Sequence, residues 1–152
     1  MKKPLILGLI VLVFDQITKY LVELFMPHGT YIKIINIFDF FNITHITNTG
    51  AAFSIGYGKN ILFIVMITVF LAMLGFWIYK NSSKLTNLQK YAFCLVFAGG
   101  IGNLIDRIFR GAVVDFLDFG VNALRWPSFN VADSAICVAA GLILISLFKK
   151  DQ

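Results

Sequence analysis

Charge, cysteine and histidine are all scarce in this chain. Of its 152 residues only 14% are charged, while two are cysteine and two are histidine. Each shortage closes off a class of function. Cys94 and Cys137 sit inside apolar stretches and lack the spacing of a metal or redox pair, so they read as small core residues. His28 and His45 are too few and too far apart to suggest a metal centre, and no H-E-x-x-H accompanies them. There is no G-x-S-x-G nucleophile elbow and no Gly-x-Gly-Asp motif of the intramembrane aspartyl type. Repeats, low-complexity tracts and flexible linkers are absent too. Lys and Arg total 13 against 8 Asp and Glu, for a net charge of +5, but these bases form short clusters at the ends of apolar runs. They lack a nucleic-acid-binding motif, so no nucleic-acid partner is expected.

What the chain has in abundance is hydrocarbon. Hydrophobic residues make up 59% of it and the mean hydropathy is +0.82, well above the soluble norm of roughly half apolar. A helix that crosses a bilayer needs roughly 20 mostly apolar residues, because its backbone polar groups must be satisfied within the segment. Windows at about 4–25, 61–79, 88–105 and 131–148 qualify, and the second carries no charge at all. Lys2 and Lys3 before the first run resemble the start of a secretory signal, yet no small-x-small cleavage site follows and the hydrophobicity continues past Asp15. The first run is therefore read as a retained helix. An even number of spans puts both termini on one side. Lys2, Lys3, Lys80, Lys84, Lys90, Lys149 and Lys150 flank that side, which makes it cytoplasmic by the positive-inside rule.

The expected architecture is an all-α membrane protein, a single integral membrane domain over 1–152. Its four spans carry two longer outer segments at about 26–60 and 107–130. The first outer segment is rich in Ile, Phe and Thr with partial alternation and ends in Gly-containing turn signals, which predicts short strands forming a small periplasmic β-sheet platform. In the second, D-F-L-D-F and the Trp126-Pro127 pair predict a short periplasmic amphipathic helix and a turn.

An ionisable group at the bilayer centre costs roughly 2.5 to 3.5 kcal/mol on insertion scales, so each one raises a functional question. Asp15, Lys19 and Glu23 stack on one helical face, where Asp15 and Lys19 can pair. That pair either fixes helix register or takes part in chemistry. Gly99, Gly100 and Gly102 allow close helix approach, and Asn103 and Arg107 then project from the same face. Asn130 and Asp133 suit the N-cap and first turn of the last helix without any further role. Against that stands Asp115, in an apolar context on the same outer side. Two carboxylates brought together at a membrane surface are costly unless they share a proton, and such a pair activates water for peptide hydrolysis without a metal or covalent intermediate. A competing reading makes Asp15, Lys19, Asp106 and Arg107 the relay of a small proton-coupled transporter or channel subunit.

The ordered set D-Q-x-T-K (15–19), N-T-G-A-A-F-S (48–54), G-G-x-G-N-L-x-D-R (99–107), V-V-D-F (113–116) and F-N-x-A-D-S (129–134) resembles lipoprotein signal peptidase, the signal peptidase II family. The resemblance covers nearly the whole chain. It implies a bacterial inner-membrane aspartic endopeptidase that removes the signal peptide from diacylglyceryl-modified prolipoproteins, cutting before the lipidated cysteine. No cofactor or metal is implied, and the expected partners are the lipidated precursor and membrane lipids, with the chain acting as a monomer. The motif match assigns catalysis to Asp115 and Asp133. It places Asn48, Asn103, Arg107 and Asn130 at the substrate, with Asp15 and Lys19 supporting the cavity from the first helix. Asp118 falls outside the motif cores as a supporting residue, and Thr47 stands where the family more often has an aromatic residue or His.

Overall fold

A computed structural model describes residues 2–50 and 58–148. Ala51 to Ser54 of the N-T-G-A-A-F-S motif, and Lys149 and Lys150 of the topology argument, lie outside the described residues. Helices α1 (Lys2–Phe25), α2 (Asn60–Asn81), α3 (Asn87–Phe109) and α4 (Val131–Phe148) match the predicted spans to within a turn, and all are long and apolar enough to cross a membrane. Between α1 and α2 lie β1 (Tyr31–Ile35) and β2 (Phe41–Asn48), joined through a 3-10 turn at Ile37–Asp39; between α3 and α4 lie β3 (Val113–Val121) and β4 (Leu124–Arg125).

The apolar runs form helices because each backbone N–H and C=O finds its partner within the segment, and local chemistry sets the ends. Thr86 opens α3 with a capping box, its hydroxyl accepting from the Gln89 N–H while the Gln89 side chain accepts from the Thr86 N–H. α3 packs against each of the other helices and lies closest to α4. Small residues make this approach possible. A Cβ on Gly99 would collide with the Ala132 carbonyl, and one on Gly102 would press on the Asp15 carboxylate and the Ala132 methyl. α2 hides only Leu71, leaving Leu62, Val65, Met66, Val69, Phe70 and Met73 exposed, as suits a helix whose solvent is lipid.

The strands form an antiparallel sheet in the order β1-β2-β3-β4. Val114 and Phe116 of β3 are buried with Val22 and Met26 at the end of α1, which seats the sheet on the bundle. One sequence expectation needs correction: D-F-L-D-F, at 115–119, is β3 and not a short amphipathic helix. Asp115 and Asp118 fit one face of a helix as well as a bulged strand, so the local pattern does not decide. Pairing does: Phe41 opposes Phe119, Asn42 opposes Asp118 and Ile46 opposes Asp115, and Phe119 stacks on Phe41 at 4.5 Å between ring centroids. A register shift between Ile43 and Ile46 accompanies the ladder on the β2 side.

Candidate active site

β3 carries Asp115 and the first turn of α4 carries Asp133, so the junctions of both elements with the bundle determine where the two carboxylates lie. Asn130 caps α4 by accepting the Asp133 N–H on Oδ1 at 2.9 Å, while Asp133 Oδ2 accepts the Asn130 N–H at 3.3 Å. This reciprocal cap holds the Asp133 side chain against the helix start. The same Asn130 side chain donates from Nδ2 to Asp115 Oδ1 at 2.8 Å, and so touches both acids at once. Asn103 Nδ2 donates to Asp133 Oδ1 at 2.8 Å, and Asn48 Nδ2 to Asp115 Oδ2 at 3.3 Å.

Both aspartates line one cavity of about 730 Å³, with Asn48, Asn103 and Arg107 on its polar side and Trp126, Phe129 and Ile136 among its apolar walls. Among the described residues neither carboxylate has a Lys or Arg within salt-bridge distance. Amides hold them instead. Asp115 is 4% exposed, and burial, reinforced by the nearby Asp133 charge, pushes its carboxyl up to about 7 against the opposing pull of the Asn48 and Asn130 hydrogen bonds.

The remaining expected site residues separate into two groups. Arg107 lines the cavity, yet its guanidinium is engaged with the carbonyls of Thr49 and Gly50 and with Asn60 Oδ1, and it lies 4.8 Å from the centroid of the Phe63 ring. It fastens the end of β2, where the Asn48 side chain also accepts the Gly50 N–H at 2.9 Å. Asp15 and Lys19 are fully buried and lie outside the cavity lining, joined at 2.9 Å to each other and to Asp106 by a 2.8 Å ion pair from Lys19. Thr47 hydrogen-bonds His28 at 3.0 Å, and His28 packs edge-on against His45.

A family model described as signal peptidase (SPase) II matches residues 7–149. The chain belongs to the signal peptidase II family. It is accordingly a membrane peptidase, a hydrolase. A lipoprotein signal peptidase of Shewanella sediminis is 41% identical over 150 residues, covering 94% of this chain and 82% of that relative. One from Staphylococcus aureus is 38% identical over 146 residues, covering 95% and 87%. A solved bacterial membrane enzyme is similar with a TM-score of 0.88 at 33% identity, covering 100% of this chain and 91% of its own, and a second has a TM-score of 0.85 at 35% identity, covering 98% and 94%. These likenesses lend no support to the transporter reading, and Asp15, Lys19 and Asp106 are bonded to one another as a closed cluster.

Reading the sequence of this signal peptidase II family member left several contributors out. Asn60, at the start of α2, exchanges hydrogen bonds with Arg107 at 2.9 and 3.1 Å. Gln16 reaches Asp106 at 3.1 Å and Arg110 at 3.2 Å, and Arg110 pairs with Asp106 at 2.7 Å and Glu23 at 2.8 Å. The available signal was the polar residue set beside a motif charge: Gln16 follows Asp15.

Proposed function

We propose that this protein is an aspartic endopeptidase that removes the signal peptide from diacylglyceryl-modified prolipoproteins, cutting before the lipidated cysteine, with Asp115 and Asp133 as its catalytic pair. The observation that carries this reading is the meeting of a buried carboxylate, Asp115, and a half-buried one, Asp133, in one partly apolar cavity, tethered by a shared asparagine and, among the described residues, with no cation in salt-bridge range. The names of the relatives supply the substrate class.

The chemistry follows from the different settings of the two acids. Asp115, with its carboxyl pushed up to about 7, is the proton carrier. Asp133 accepts from Asn103 and from the Asn130 backbone, and is the base. The Asp133 carboxylate takes a proton from water as the water oxygen bonds to the scissile carbonyl carbon, and Asp115 gives its proton to the carbonyl oxygen. The tetrahedral diol then collapses: the C–N bond breaks, the amine leaves with the proton Asp133 took up, and a hydroxyl proton returns to Asp115. Asn48, Asn103, Asn130 and Arg107 hold the acids and the cavity edge in place, and the substrate backbone lies along the residues at the end of β2 that Arg107 fastens. Each buried CH2 of an acyl chain is worth roughly 0.8 kcal/mol, so the diacylglyceryl group adds recognition through the bilayer. The chain works as a monomer and as one domain in the bacterial inner membrane, with both termini cytoplasmic and the sheet and cavity on the periplasmic side.

The test compares lipidated with unlipidated precursor, using purified wild-type, Asp115→Asn and Asp133→Asn enzymes. Cleavage of the lipidated precursor by the wild type alone is expected. Cleavage retained by either variant, at undiminished helicity, removes the dyad assignment.

A further inference from the structure

Beneath the two acids of the cavity lies a second acidic pair, Asp15 on α1 and Asp106 on α3, and its bonds run into the reaction centre in a regular way. Lys19 uses all its donors: Nζ lies 2.9 Å from Asp15 Oδ2, 2.8 Å from Asp106 Oδ2 and 3.0 Å from Asn103 Oδ1. Asp15 Oδ1 accepts the backbone N–H of Ala132 at 2.8 Å. Asp106 Oδ2 accepts the backbone N–H of Val114 at 3.3 Å. Ala132 immediately precedes Asp133, and Val114 immediately precedes Asp115. Each lower carboxylate thus holds the backbone N–H of the residue that precedes one upper aspartate.

A cluster that only glued α1 to α3 would need neither of those backbone contacts. Ala132 lies in the first turn of α4, where a backbone N–H has no acceptor within the helix, so Asp15 supplies one from another helix. Lys19 also settles a choice that Asn103 cannot make alone. An ammonium group only donates, so Asn103 must turn its oxygen towards Lys19 and its NH2 towards Asp133 Oδ1, 2.8 Å away. With the amide reversed, NH2 would face the ammonium and oxygen would face a carboxylate. Lys19, Asp15 and Asp106 are all fully buried, so no water competes for these bonds.

We propose that Asp15 and Asp106, bridged by Lys19, are positioning residues for the catalytic pair: Asp15 sets Asp133 through the Ala132 N–H, Asp106 sets Asp115 through the Val114 N–H, and Lys19 sets the donor end of Asn103. This rests on the dyad reading above and adds to it a division of labour. None of the three touches substrate. Their effect reaches the reaction through the placement of the acids, where a misplacement of about 1 Å costs on the order of 10²-fold in rate.

The experiment uses the full chain in lipid nanodiscs with a lipidated precursor, and reads kcat, KM and backbone amide exchange at Val114 and Ala132 by NMR. Asp15→Leu and Asp106→Leu remove the acceptors, whereas Asp15→Asn and Asp106→Asn keep an oxygen in place. In the leucine variants kcat is expected to fall about 10- to 100-fold at nearly constant KM. Exchange should rise at Ala132 alone in Asp15→Leu and at Val114 alone in Asp106→Leu, and the asparagine variants should recover most of the lost kcat. Unchanged kcat per folded molecule, or both amides exchanging faster together in each variant, would overturn the proposal in favour of a plain ion cluster. If a leucine variant does not fold, the charge-free combination Lys19→Met, Asp15→Asn, Asp106→Asn decides: it leaves no unpaired charge, and it should lose kcat because Asn103 is free to reverse. Full kcat there would sink the Lys19 step. Failure of the dyad reading is separate, since it shows as activity retained in Asp115→Asn or Asp133→Asn.

Discussion

Two pairs of aspartates are linked through the residues Ala132 and Val114 in this fold, and they are held in opposite ways. Asp15 and Asp106 are fully buried around the ammonium of Lys19, with Arg110 adding a second cation at 2.7 Å from Asp106. Asp115 and Asp133 are held by the side-chain amides of Asn48, Asn103 and Asn130, without a cation in salt-bridge range among the described residues. A buried carboxylate beside a cation has its charge matched by that partner, which ties it into the scaffold. One held only by amides keeps a proton affinity that its neighbour can raise. The amide-held pair lines the cavity and the cation-held pair does not. On the proposed reading, charge neutralisation marks the scaffold pair and its absence marks the catalytic pair.

The largest effect should come from removing a reactive acid. Asp115→Asn and Asp133→Asn keep the shape of the side chain but abolish the acid–base exchange, and turnover should fall by about 10³-fold or more. Single-turnover cleavage of a lipidated precursor measures this. Next in size is the opposite manipulation, depriving the scaffold pair of its cation. Lys19→Met leaves two buried carboxylates facing each other, and breaking a buried ion pair from one side costs about 3–5 kcal/mol. Denaturant unfolding in mixed micelles should detect it as a lower midpoint, whereas the Asp115→Asn substitution should not lower stability at all.

Asp115 should even cost the protein stability, and the sign is fixed by the direction of its shift. Its carboxyl is raised to about 7 in the folded chain, so between the ordinary aspartate value and about 7 the folded state binds more protons than the unfolded state, and stability falls as pH rises through that window. Asp115→Asn removes this penalty. Its gain in midpoint over the wild type should be larger at about pH 8 than at about pH 5, and an equal gain at both would contradict the raised value. Activity has the matching limb: as pH rises through about 7, Asp115 loses its proton and kcat/KM should decline.

These contrasts were only partly legible in the chain itself. The four spans could be read because hydrocarbon demands uninterrupted apolar helices, and the motif aspartates because charge in such surroundings is conspicuous. β3 could not be read, since Asp115 and Asp118 suit either period until Phe41, Asn42 and Ile46 of a segment some seventy residues earlier pair with it. Asp106 was visible as a charge, yet its partner Lys19 lies on another helix, and no local spacing announces that Asp106 accepts the N–H of Val114 and Asp15 that of Ala132, the residues just before Asp115 and Asp133. Long-range contacts of that kind are set by packing at Gly99 and Gly102, where the helices come close enough for short polar side chains to span the gap.

The smallest expected effect concerns the third aspartate of the same strand region. Asp118 lies a few residues beyond Asp115 on β3, but it meets the Arg125 guanidinium at 2.6 Å and accepts from Asn42 Nδ2 at 3.1 Å. Like Asp106 it has a cation, so it belongs on the scaffold side of the comparison despite its position. Arg125 also donates to the Asp39 carbonyl, tying the β3–β4 turn to the 3-10 turn after β1. Both side chains of the pair are partly exposed, at 25% and 15%, so solvent weakens the interaction and Asp118→Asn should cost about 1 kcal/mol or less. Its kcat should stay within about twofold of the wild type, because the interaction it loses is the same before and during the reaction. A kcat loss approaching that of Asp115→Asn would show that a paired cation does not by itself separate scaffold from reactive carboxylates in this protein.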